Sequence, residues 1–74
     1  MATLLEVNLG DAAKAFINFD QVVSVVASAD TMGRPVVIVR TVDGGRYEEE
    51  SESEAVAVSR AATLARASYE GRLA

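Results

Sequence analysis

Apolar and polar positions alternate over residues 3–9, which predicts a first strand with Leu5, Val7 and Leu9 on one face and Glu6 and Asn8 on the other. Gly10-Asp11 marks a turn after it. Residues 12–15 fit a short helical turn or a loop equally well. Phe16-Ile17-Asn18 reads as a short strand that breaks at Phe19-Asp20-Gln21. In 22–29 the first five residues include four valines, and β-branched side chains favour a pleated surface, so a longer strand is expected there. Asp30 to Pro35 is a loop: Gly33 is free to take positive φ, and Pro35 cannot donate to a ladder. Residues 36–42 form the clearest strand. Asp43-Gly44-Gly45 is a hairpin turn, and 46–49 return from it.

The period then changes. Ser51 and Glu54 stand at capping-box spacing, in which each would satisfy a free N–H at a helix start. Ala55, Val58, Ala61, Ala62, Ala65 and Tyr69 follow at helical spacing and predict one apolar stripe. The helix is expected to run to about Tyr69, with Gly71 as its stop. Acidic residues gather at its start, and Arg60, Arg66 and Arg72 lie in its middle and beyond, which suits the macrodipole. The expected fold is α+β, a small antiparallel sheet of three to five strands with one C-terminal helix packed on one face.

Two of the strands carry more apolar positions than one helix can cover. Val22-Val23 with Val25-Val26, and Val36-Val37-Ile38-Val39, are apolar at consecutive positions, so side chains on both faces are apolar. An uncovered apolar face marks an interface. The expectation is a homo-oligomer whose interface includes Val23, Val25, Val37 and Val39. The alternative cover is the N-terminal segment, with Phe16 and Phe19, folded across that face in a monomer.

Composition narrows the chemistry. Seventy-four residues allow a single domain, 1–74, close to the lower size limit for independent folding. The chain has no cysteine and no histidine. Disulfides, the usual zinc sites, Ser-His triads and cysteine nucleophiles are therefore excluded, and no enzyme, cofactor or metal is expected. A net charge of −4 with dispersed arginines disfavours nucleic acid. The opening residues lack a signal peptide's basic and apolar regions, and no stretch is apolar for long enough to span a bilayer, so a soluble cytoplasmic protein is expected.

Two charged groups remain as candidates. Glu48, Glu49, Glu50, Glu52 and Glu54 form the densest run, read either as a solvated strand end and helix start or as an acidic docking surface for a basic protein. The run lacks the alternating Asp/Asn and central Gly of a calcium loop. Arg34, Arg40 and Arg46 flank the loops around the central strand and are candidate anion contacts if they converge. Gly44-Gly45 sits between two strands with no Lys-Ser or Lys-Thr after it, which favours a hairpin over a phosphate loop.

The run from Phe16 to Val25, the hairpin of 36–47 with Asp43-Gly44-Gly45, and Ser51-Glu52-Ser53-Glu54 opening a terminal helix together resemble very small bacterial and phage proteins. Those proteins are built strand–strand–strand–helix and include the short swarming-motility proteins encoded among flagellar genes. The resemblance covers 16–67, leaves 3–15 outside, and implies the fold and a non-enzymatic role with no particular functional residues. Three functions are carried forward. The first is a non-catalytic interaction module acting as a homo-oligomer. The second is a phage-type inhibitor that presents its acidic run to a host protein. The third is a protein that sequesters a small anionic ligand through the arginines.

Overall fold

The computed structural model describes residues 4–10 and 12–73. Thr3, at the expected start of the first strand, and Asp11, in the turn after it, lie outside the described residues. Strands β1 (Leu4–Gly10) and β2 (Ala13–Asn18) pair antiparallel as a two-stranded sheet. A single 3₁₀ turn, Phe19–Gln21, leads to β3 (Val22–Ala29), β4 (Pro35–Thr41) and β5 (Arg46–Glu50), a three-stranded antiparallel sheet in the order β3-β4-β5. Helix α1 (Glu54–Leu73) follows. The fold is α+β.

Residues 13–15 are neither a helical turn nor a loop but the start of β2. Gly10 and Ala12 both take positive φ, at 89° and 65°, and reverse the chain tightly enough for Val7 to face Ala15 and Leu5 to face Ile17. The ladder shifts between Asn8 and Gly10, which turns Leu9 away from Leu5 and Val7. Leu5 and Val7 are buried while Leu9 is exposed, so the three do not share one buried face.

One core joins both sheets and the helix. Leu5, Val7 and Ile17 from the hairpin meet Val22, Val37 and Val39 from the larger sheet and Ala57, Ala61 and Leu64 from α1. The hairpin and the helix thus cover the same face of β3-β4-β5, and the hairpin does not close the opposite face. On that outer face Val36 and Ile38 stand in register with Ser28, Val26, Glu48 and Glu50, and both are buried.

A bulge between Val22 and Ser24 decides which valines point where. Val22 and Val25 face the core, and Val23 and Val26 face out. The expected interface set therefore divides. Val37 and Val39 are completely buried and closed to a partner in the folded chain, while Val25 is half-buried and packs against the core from the edge strand. Val23 alone of the four is open, at 62% exposure.

The helix also differs from expectation in start, phase and end. Its cap is Ser53, whose Oγ accepts from the N–H of Val56 at 3.2 Å. Ser51 is held by the sheet instead, its N–H donating to the carbonyl of Pro35. The buried stripe is Ala57, Ala61, Leu64 and Ser68; of the residues expected to be buried only Ala61 is, and Ala55, Val58, Ala62, Ala65 and Tyr69 are exposed. The helix runs through Gly71 to Leu73.

Candidate interaction surface

The acidic run is split by the pleat of β5. Glu49 points inward and is 6% exposed, while Glu48 and Glu50 lie on the outer face. Arg60 donates to Glu49 through Nε at 2.7 Å and through a terminal nitrogen at 3.2 Å. The backbone N–H of Asn8 donates to the same carboxylate at 3.0 Å, and Arg60 also reaches the carbonyl of Glu6 at 3.1 Å. Burial on its own pushes the Glu49 carboxyl up, but the hydrogen bonds from Arg60 and Asn8 and the charge on Arg60 outweigh it and hold the group below its ordinary value. This carboxylate is a structural tie between β5, β1 and α1.

The other charges are dispersed. On the outer face Glu48 pairs with Arg46 at 3.0 Å, and Glu50 stands 3.9 Å from Arg34. Glu52 and Glu54 are exposed around the helix start. Arg34 is also held by Asp30 at 3.1 Å, and the backbone N–H of Arg34 is the chief cause keeping the Asp30 carboxyl below its ordinary value. Arg40 and Arg46 are directly opposed across the β4–β5 ladder, whereas Arg34 lies in the loop before the other end of β4. The three arginines do not converge, and the five glutamates do not form one surface.

The two edges of the larger sheet are treated differently. β5 carries four charged side chains in five residues, and β1 packs beside it. β3 carries none in eight, reads Val-Val-Ser-Val-Val-Ala-Ser-Ala, and pairs with β4 alone. Free edges are normally blunted with charge, proline or a covering element, because their unpaired N–H and C=O groups template further strands. Among the described residues no strand lies along the free side of β3.

Helix α1 presents its apolar flank on the same side. Arg60 directs one flank of α1 toward β5 and β1. At 100° per residue, Val58 lies about 160° around the helix from Arg60. Val58 and Glu54 accordingly face the β3 side, where they border a cavity of about 260 Å³ with Ala27, Ala29 and Pro35. Along this flank Ala55, Val58, Ala62, Ala65 and Tyr69 recur at alternating spacings of three and four, all exposed. This is the stripe the sequence predicts to be buried, and Arg60 on Glu49 and Leu64 in the core turn it outward.

Among the described residues no group of three or more acidic side chains is placed to hold a metal ion, and no helix is long and apolar enough to cross a membrane. No known protein family, curated protein or solved structure matches the chain.

Proposed function

We propose that this protein is a small non-catalytic interaction module that acts as a homo-oligomer, in a cytoplasmic setting. The observation that carries the reading is the open edge of β3, eight residues without a charge, in contrast to the opposite edge strand β5, which carries four charged side chains in five residues. An edge of that kind gains a full ladder of backbone hydrogen bonds when it meets another strand. The outward-turned apolar flank of α1 adds surface on the same side, where Val58 and Tyr69 are each 61% exposed. A chain of this size buries a small core, and association supplements it.

The test is the solution mass by light scattering on a sizing column over a wide concentration range. A dimer or larger assembly that dissociates on dilution supports the proposal. A monomer at every concentration overturns it.

A further inference from the structure

The open edge of β3 and the outward flank of α1 lie on one side of the molecule, and a single symmetry operation can satisfy both. We infer that two copies join across a twofold axis perpendicular to the sheet, pairing β3 with β3 into a six-stranded sheet and laying the two α1 helices side by side on one face. This rests on the self-association proposed above and specifies its geometry.

Antiparallel pairing preserves faces when residues of like orientation oppose each other. Val26 points outward, as do its outer-face neighbours Ser24 and Ser28. A register centred on Val26 places it opposite its own counterpart and Ser24 opposite the second copy's Ser28. Val25, which faces the core, then opposes the second copy's Ala27, which also does. The seam contains no charge to repel, since β3 has none. The exposed Asp20 lies before one end of β3 and Arg34 beyond the other, and antiparallel pairing brings each copy's Asp20 toward the other's Arg34.

The helix spacing agrees without adjustment. Strands in a sheet stand about 4.8 Å apart, so the axis lies about 2.4 Å beyond β3. α1 packs over β3 and β4. Seated midway between these strands, it stands about 5 Å from the axis, and the two helices pass about 10 Å apart, the distance at which helices pack. The flanks that meet are Ala55, Val58, Ala62, Ala65 and Tyr69, whose alternating spacings of three and four form the seam of a helix pair, with alanines that permit close approach.

The experiment combines a charge at the strand axis with a cross-link at the helix seam. Val26 is 44% exposed, so Val26→Lys is accommodated by the isolated chain, and circular dichroism verifies that the fold is kept. The expected result is dissociation into monomers, with the dimer weakened by at least tenfold. The chain has no cysteine, so Ala62→Cys and, as a control, Glu48→Cys each introduce a unique thiol. A short bismaleimide should join the first variant into covalent dimers and leave the second monomeric. A wild-type dimer that survives Val26→Lys and is not cross-linked through Ala62→Cys overturns this geometry and leaves self-association standing. A wild-type monomer overturns both.

Discussion

The ring of Phe19 occupies the space where a Cβ on Gly71 would stand, so the 3₁₀ turn between the sheets docks directly on the backbone of α1. Glycine inside a helix ordinarily weakens it, and replacement by alanine gains up to about 1 kcal/mol. Here the sign reverses. Gly71→Ala should lower stability by about 1–3 kcal/mol, because the ring or the helix must move to admit the methyl group. Urea unfolding of the two proteins measures it, and an increase in the midpoint would rule out the Phe19 contact.

The Glu49–Arg60 tie makes part of the stability depend on pH. The folded carboxyl is more acidic than the ordinary value of 4.5, so near that pH the folded state binds fewer protons than the unfolded chain. The stabilisation is complete above that value and is lost as pH falls through the lower folded pKa. Glu49→Gln should flatten the acid limb of stability below pH 4.5, read from urea midpoints between about pH 2.5 and 7. Arg60→Ala should cost about 2 kcal/mol at neutral pH, since it leaves a buried carboxylate with the Asn8 N–H as its remaining donor.

Ser68 is 1% exposed, and its hydroxyl has no hydrogen-bond partner among the described residues. Ser68→Ala removes a desolvated polar group and substitutes a better helix former. It should raise stability by about 1–2 kcal/mol. A loss of stability on thermal unfolding would mean that the hydroxyl finds a partner in solution.

The buried phase of α1 is separately testable. Leu64→Ala should cost about 3 kcal/mol by opening a cavity between the helix and both sheets. Thr63→Ala, one position away on the exposed side, should change stability by less than about 0.5 kcal/mol. Equal losses from the two would contradict the assigned phase.

The turn between β4 and β5 depends on Gly44, which takes a φ of 86°. Gly44→Ala should cost about 1 kcal/mol from the left-handed backbone alone, since an added Cβ there meets no neighbour. Urea denaturation provides the measurement, and an unchanged midpoint would mean that the turn relaxes into another conformation.

The elements written in local chemistry were legible from the chain alone. Valine-rich segments became β3 and β4, Asp43-Gly44-Gly45 became the hairpin, and the break at Phe19-Asp20-Gln21 became a 3₁₀ turn, because β-branching and turn residues act over a few neighbours. Features that depend on distant partners were not. Residues 13–15 have no strong strand preference of their own and become β2 because β1 offers them a ladder. Ser51 and Ser53 look alike as caps, and the carbonyl of Pro35 decides between them by holding Ser51 to the sheet.

The same division separates the candidate surface from the sequence. That β3 is uncharged could be read directly, but its place at an edge is a fact of strand order. Alternation along β3 would put Val23 and Val25 on one face; the bulge puts them on opposite faces. Around α1 nearly every flank offers alanine or valine, so periodicity alone leaves its phase undetermined. Arg60 bound to Glu49 and to the carbonyl of Glu6, Leu64 in the core and Phe19 against Gly71 fix that phase, and the Arg60–Glu6 contact spans 54 residues. The chain by itself therefore determined most of the strands and the helix, residues 13–15 excepted, while tertiary packing decided which side of each is left open, because hydrophobicity that is nearly uniform around an element carries no direction until a partner supplies one.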